Sequence, residues 1–283
     1  MKRIVLNVIT CAAGFAFGIA ASSILTGSSY SVVNKRPPEN LTVRCWPQIN
    51  QPTPLPLPAP VASSDREVVI GGGGLRVVVD QVQLKSQRLQ YDVDVSYPQI
   101  IGSDDLHIRG LNQRIKDLAT DAYQWTLTPS MTDLRYYRRQ WPEAFNAVHL
   151  DYEVLSATDR FLSIYFDVSS YGIGAGTGVQ YSFALNYDFT LRKELTLSDI
   201  FRRRSNYLEY ISRYSLNEFS RKSEFLFKEA LTPRARNFKS WNVTRDGIRF
   251  NFDECAVFAC AEGAQTVVIS FADLQPLLNR NAF

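Results

Sequence analysis

The chain has 283 residues, of which 45% are hydrophobic and 21% charged, an ordinary globular composition that excludes disorder throughout. Its formal charge is +3, a balance that excludes a nucleic-acid partner, because phosphate binding needs a concentrated excess of Lys and Arg. Most of the 17 Phe and 14 Tyr fall after residue 66, so a sizeable core can form there.

Met1, Lys2 and Arg3 precede residues 4–25, which carry no charge and only small polar interruptions at Asn7, Thr10, Ser22 and Ser23. This is a positive n-region followed by an apolar h-region. As a helix the segment would rise about 33 Å, enough to cross a hydrocarbon core of about 30 Å, and so it fits an uncleaved anchor. Small residues at Gly18, Ala20 and Ser22 equally fit a cleaved signal peptide. In both cases the positive-inside bias sends the bulk of the chain out of the cytoplasm. The expected location is extracytoplasmic, anchored to the membrane through residues 4–25 or released after cleavage. Cys11 reads as a small apolar-facing residue of that segment, with lipidation as the competing idea.

Residues 34–64 carry eight prolines, Pro37, Pro38, Pro47, Pro52, Pro54, Pro56, Pro58 and Pro60. The alternation of Pro with Leu at 54–58 favours polyproline II, a semi-rigid spacer. The expected division is therefore a targeting segment at 1–30, a linker at 31–65 and a folded domain at 66–283, with halves at about 75–140 and 145–283.

Within the domain, residues 77–79, 82–84 and 89–97 alternate as strands, with Tyr91, Val93, Val95 and Tyr97 on one face. A helix is expected after Gly102, Ser103 and Asp104, because Leu111, Ile115, Leu118, Ala119 and Ala122 repeat at helical spacing. Residues 148–155, 161–171 and 180–189 alternate again and are joined by short turns, which predicts an antiparallel meander. A second amphipathic helix is expected over 206–228, stopping before Pro233. Residues 241–244 and 248–252 flank a turn at Gly247, 267–271 read as a last strand, and 272–278 as a closing helix. The fold class is α+β: an antiparallel sheet meander packed by two amphipathic helices, after an N-terminal hydrophobic helix.

Beyond Cys11 the cysteines are Cys45, Cys255 and Cys260. Cys255 and Cys260 stand close enough to form a disulfide in an oxidising compartment, with two free thiols or a metal site as alternatives. No Cys-x-x-Cys occurs, and His107 and His149 fall in separate elements, so no metal or cofactor is expected.

Catalytic patterns are sparse. His149 and Asp151 share a strand face and could act as a base with its orienting partner; Asp253, Glu254 and Glu262 could pair as carboxylates, although carboxylates near turns are usually solvated. The run from Gly172 to Gly178 holds four glycines and can meet a ligand closely, with Gly174, Ala175 and Gly176 as candidate contacts. Residues 135–141 interleave cations with aromatics, and Tyr136, Tyr137, Arg138 and Trp141 are binding candidates on an expected variable loop. Arg202, Arg203 and Arg204 form a second basic run, read as solvated.

Several runs together resemble one family. Tyr97-Pro98-Gln99-Ile100 with Leu111-Asn112-Gln113-Arg114-Ile115, then Asn186-Tyr187-Asp188-Phe189, Leu195 through Phe201, and Gly247-Ile248-Arg249-Phe250 are similar to the extracytoplasmic domain of RsiV-like anti-sigma factors and the N-terminal domain of some peptidoglycan deacetylases. The resemblance covers about residues 75–280. It implies an α+β domain that in RsiV-like members binds lysozyme. Two departures stand out: Gly176 replaces the family's usual histidine after Gly174-Ala175, and Cys255 and Cys260 stand where the family often has two tyrosines, which agrees with a pair gained together. With three residues before the hydrophobic segment and none left for a catalytic domain after residue 280, neither anti-sigma nor deacetylase activity is carried over. The expected function is a non-enzymatic cell-envelope binding or sensing module for a lysozyme-like protein or peptidoglycan. A peptidoglycan-modifying hydrolase and a structural envelope assembly protein are the alternatives.

Overall fold

A computed structural model describes residues 68–72, 74–127, 131–175 and 177–279. The predicted targeting segment and proline-rich linker lie outside the described residues, as does Gly176. Among the described residues no helix is long and apolar enough to cross a membrane.

The architecture is mixed α+β, built on a seven-stranded sheet in the order β1-β2-β3-β4-β5-β6-β7. Strand β1 (Val68–Ile70) and the long strand β2 (Leu75–Ser86) lead into β3 (Tyr91–Ile101). The two short runs expected at 77–79 and 82–84 are thus one strand, paired antiparallel with β3 from Arg76↔Ile101 to Ser86↔Tyr91. Alternation sends Val93, Val95 and Tyr97 to one face and Asp92, Asp94 and Ser96 to the other.

The chain then crosses over through α1 (Leu106–Leu127) and α2 (Met131–Gln140) and returns as β4 (Asn146–Ala157), parallel to β3 from Tyr91↔Asn146 to Val95↔Leu150. This corrects the fully antiparallel meander. A connection of more than forty residues carrying helices can return to the same end of the sheet, as a tight turn cannot. Strands β5 (Phe161–Tyr171), β6 (Val179–Asp188) and the short β7 (Lys193–Glu194) complete the sheet in antiparallel fashion, as the short turns predicted. Leu111, Ile115, Ala119 and Ala122 of α1 pack onto Val95, Leu150, Ile164, Phe166 and Leu185, all fully or nearly fully buried.

A second sheet, not anticipated as separate, is formed by β8 (Trp241–Val243), β9 (Gly247–Phe252) and β10 (Gln265–Ser270) in the order β10-β9-β8. Between the sheets lie α3 (Leu197–Ile200) and α4 (Tyr207–Ser220) in sequence, and α5 (Phe271–Leu274) follows the last strand. Ile248, Phe250 and Phe252 share an apolar core with Ile211 and Phe219 of α4, and Phe219 meets Phe252 and Phe258 edge-on at 5.4 and 5.6 Å. Helix α4 ends eight residues short of its expected terminus at 228. Past Ser220 the polar run Lys222-Ser223-Glu224 gives it no apolar stripe to bury, and the Phe227 amide donates instead to Val257 O at 2.9 Å.

The inner side of the small sheet meets the large one through buried amides and a hydroxyl. Ser163 Oγ donates to Asn186 Oδ1 at 2.7 Å and accepts from Asn242 Nδ2 and from the Val243 amide, each at 3.0 Å. Asn186 Nδ2 donates to Trp241 O at 2.7 Å, and Asn251 Nδ2 donates to Asn242 Oδ1 at 2.9 Å. Helix α1, the large sheet, the small sheet and α4 therefore stack in that order.

Candidate functional site

The predicted aromatic and basic segment is not a loop. Residues Tyr136, Tyr137 and Arg138 lie on α2, and Trp141 follows its last turn, its amide donating to Tyr137 O at 2.7 Å. Leu134, Tyr137 and Trp141 fall three and four residues apart, a helical spacing that the density of arginines and the following Pro142 obscured. Leu134 is buried and anchors the helix, while Tyr136 and Trp141 are 58% and 40% exposed.

Gln90 holds the end of this element. Its backbone is in the left-handed region, at φ 49°, and its fully buried side chain donates from Nε2 to the carbonyls of Trp141, Pro142 and Ala144 at 3.0, 3.3 and 2.9 Å. No sequence signal marked Gln90, because a glutamine clamp is visible only through the carbonyls it meets. Asn146 ties in the glycine-rich turn: its amide donates to Gln90 O, and its Oδ1 accepts from the Ile173 amide at 2.9 Å.

Gly174 takes φ +85°, and a Cβ placed on it would stand 2.9 Å from Tyr137 Cε1. The glycine turn and α2 are therefore in contact, and Ala175 closes the turn with its amide donating to Gly172 O at 2.9 Å. Tyr137 meets Tyr136 edge-on at 5.4 Å and lies 6.0 Å from Trp141, so the three rings form one connected cluster with Tyr137 at its centre. Arg135, Arg138 and Arg139 are exposed. None of the three has an ion-pair partner among the described residues. Arg135, Tyr136, Arg139 and Gln140 line a hollow of about 480 Å³. Such a surface can stack on flat or sugar-like groups and hold anions by charge-assisted hydrogen bonds.

A second polar region lies on the sheet face opposite α1, beyond the edge of the small sheet. His149 Nδ1 stands 3.7 Å from Asp94 Oδ2, so its nearest carboxylate is on β3 and not the Asp151 proposed from sequence. Asp151 sits directly across from Asp167 in the β4–β5 register. Gln180 Nε2 donates to both oxygens of Asp167 at 3.1 and 3.3 Å, yet burial, the larger influence, raises the Asp167 pKa above the usual carboxylate value. The Arg249 guanidinium lies over the Tyr165 ring at 4.5 Å and reaches Glu153 at 3.4 Å.

Asp253 and Glu254 are not simply solvated. Asp253 Oδ1 accepts from the Ser182 amide and hydroxyl at 2.7 and 3.0 Å, and Glu254 Oε2 accepts from the Gln180 amide at 3.3 Å. They satisfy donors along the outer edge of β6, which β7 covers only at Tyr187 and Asp188. Cys255 and Cys260 form a disulfide that closes the loop immediately following these carboxylates. Among the described residues no group of three His, Cys, Asp or Glu side chains could hold a metal ion. Arg202, of the second basic run, donates from Nε to Leu278 O at 2.8 Å and so serves the fold.

With this geometry in view, residues 198–272 match the profile of a family described as a protein of unknown function, DUF3298. That match takes in α3, α4, the small sheet and the disulfide loop, and leaves out α2. Over 138 residues, 47% of this chain, the sequence is 28% identical to the peptidoglycan-N-acetylmuramic acid deacetylase PdaC of Bacillus subtilis. The chain spans only 29% of that relative's length. A crystal structure of a DUF3298 family member from Bacteroides fragilis superposes with a TM-score of 0.52 at 14% identity, covering 72% of this chain and 94% of that one. One from Pseudomonas aeruginosa gives a TM-score of 0.48 at 14% identity, covering 74% and 95%. The chain is thus similar to DUF3298 proteins in sequence over residues 198–272, and it shares the fold of the Bacteroides member.

Proposed function

We propose that this protein is an extracytoplasmic cell-envelope binding module whose ligand is peptidoglycan, held outside the cytoplasm by residues 4–25 or released there. The observation that carries the reading is the surface of α2. Arg135, Arg138 and Arg139 project beside the rings of Tyr136, Tyr137 and Trp141, and Gly174 lets the turn behind them close up on Tyr137. Wall glycan offers sugar faces to stack on aromatic rings and peptide carboxylates to meet guanidinium groups. The similarity to a peptidoglycan deacetylase supports the same compartment and polymer. A lysozyme-like partner, suggested by the RsiV resemblance, would place a basic protein against three arginines, so charge favours the polymer.

Co-sedimentation of the full chain with purified peptidoglycan tests the proposal. Binding should weaken with salt and fall at least about tenfold in a triple Arg135→Gln, Arg138→Gln, Arg139→Gln variant. Retention unaffected by the triple change would remove α2 from the site, and retention on immobilised lysozyme alone would replace the ligand.

A second reading, a peptidoglycan hydrolase, rests on Asp151 standing opposite Asp167, two carboxylates in different environments beside His149. Loss of turbidity in a peptidoglycan suspension that disappears in Asp167→Asn would support it. Equal turbidity with and without the protein would dismiss it.

A further inference from the structure

Past the end of α4 the chain turns two aromatic rings outward. Phe225 is 82% exposed, the most of any large apolar side chain among the described residues, and Phe227 is 46% exposed. Leu226, between them, packs against the core of the small sheet. Two hydrogen bonds fix this alternation: the Phe225 amide donates to Ser223 Oγ at 3.1 Å, and the Phe227 amide to Val257 O at 2.9 Å. The inward leucine and the two bonds therefore present both rings to solvent from a tethered backbone.

The surrounding segment is basic. Residues 221–239 hold six cations against two carboxylates, Glu224 and Glu229, in a chain whose whole formal charge is +3. Arg221 is paired with Glu218 at 2.7 Å, and Lys222 lies over the Phe219 ring at 5.2 Å. Lys222, Lys228, Arg234, Arg236 and Lys239 are exposed and have no carboxylate partner among the described residues. The 3₁₀ turns Lys228–Leu231 and Ala235–Phe238 pack on each other. Asn237 Nδ2 ties them, donating to Glu229 O and Thr232 O at 3.1 and 3.0 Å, so Arg236 is kept near Lys228 rather than trailing away.

We propose that residues 221–239 dock the domain on an anionic lipid surface. Phe225 and Phe227 enter the boundary between headgroups and acyl chains, and the cations meet headgroup phosphates. The chemistry of the rings selects lipid over glycan: phenylalanine has no hydroxyl or N–H to offer a sugar, unlike the tyrosines of α2. A ring standing this far clear of the surface suits a fluid phase better than a shaped pocket. The same chain carries residues 4–25, uncharged and long enough to cross a bilayer. The 42 residues between that segment and Val68 span up to about 130 Å at about 3.1 Å each, so any face of the domain can reach the membrane. Tethering also raises the local lipid concentration, so that a contact too weak to hold a free protein can orient an anchored one. The proposal rests on the anchored location and not on the peptidoglycan reading of α2.

The test places the full chain in nanodiscs of phosphatidylcholine and in nanodiscs of phosphatidylcholine with phosphatidylglycerol. Hydrogen exchange is followed by mass spectrometry, with residues 4–25 common to both preparations. Exchange over 221–239 is expected to be at least about threefold slower on the anionic discs, with the difference lost in high salt and exchange over β3 unchanged. Phe225→Ser with Phe227→Ser should lose the protection while melting close to the parent, because both rings are exposed. Lys228→Gln with Arg234→Gln and Arg236→Gln should erase the difference between the two discs. No association with either disc, equal exchange on both, or protection kept in the double serine variant would each overturn the assignment. Protection that follows protein concentration rather than lipid charge would also overturn it and give this face to a second copy of the chain.

Discussion

The ring of Tyr137 occupies the space that a side chain at position 174 would need, at 2.9 Å from the Cβ that Gly174 lacks. Replacing Gly174 with alanine meets two penalties at once, a positive φ and this contact. Gly174→Ala is expected to destabilise the chain by about 1–2 kcal/mol, read as a lower urea midpoint. A loss of near-ultraviolet dichroism from the Tyr136, Tyr137 and Trp141 cluster should accompany it.

The layer between the sheets gives a second outcome. Ser163→Ala removes the acceptor shared by Asn242 Nδ2 and the Val243 amide, which keep Ile164 O and Asn186 Oδ1 at 2.9 and 3.3 Å, and takes the hydroxyl donor from Asn186 Oδ1, at a cost of about 1 kcal/mol. Urea unfolding measures it, and a change near zero would show that the hydroxyl is replaceable.

Alkaline stability follows from two tyrosines. Burial, first among the causes for both, pushes the hydroxyls of Tyr97 and Tyr152 up to about 12, and for Tyr97 the hydrogen bond to Asp80 at 2.8 Å adds to it. A raised acid pKa means that the folded state holds its proton more tightly than the unfolded chain, where tyrosine titrates near 10. Their contribution is complete below about pH 10 and declines as pH rises towards 12. The urea midpoint should fall across that window, and Tyr97→Phe should make the fall shallower.

Asp167 follows the same rule in a lower pH window. Because burial raises its pKa, the ionised form that prevails at neutral pH is disfavoured by folding, and stability returns as pH falls through the folded pKa towards the unfolded one. Asp167→Asn keeps an acceptor for Gln180 and should be more stable than the parent at pH 7, with the gain shrinking in acid. Thermal melts at both pH values decide this.

The disulfide can be examined through the strand it supports. Cys255→Ser with Cys260→Ser should lower stability by about 2 kcal/mol, the entropy of closing so short a loop. Hydrogen exchange at the Gln180 and Ser182 amides, which Glu254 and Asp253 cover, should accelerate more than exchange at β5. Uniform acceleration would point to a global effect instead.

Much of the fold was legible because alternation and helical spacing report burial directly. Val93, Val95 and Tyr97 on β3, and Leu111, Ile115 and Ala119 on α1, fall where their periods place them. The parallel joint of β3 to β4 was not legible, since the period of a strand says nothing of its direction. Helix α2 was missed because its apolar stripe is reduced to Leu134, Tyr137 and Trp141 amid arginines. At the candidate site, the aromatic and basic residues and the glycine turn were nameable from composition. Their contact through Gly174, and the Gln90 clamp, depend on partners 37 and 51 or more residues away in sequence.

Ser163, with one donor and two donors directed at it from β8, constrains how the molecule comes apart. An apolar interface could slide by a residue or two and keep most of its contact, but directional bonds to one hydroxyl cannot be kept after such a slip. The small sheet is then either seated in one alignment or detached with several buried amides orphaned. Partial undocking is the least favourable of the states open to it. The two sheets should accordingly melt together, in one cooperative transition, although their apolar cores are distinct.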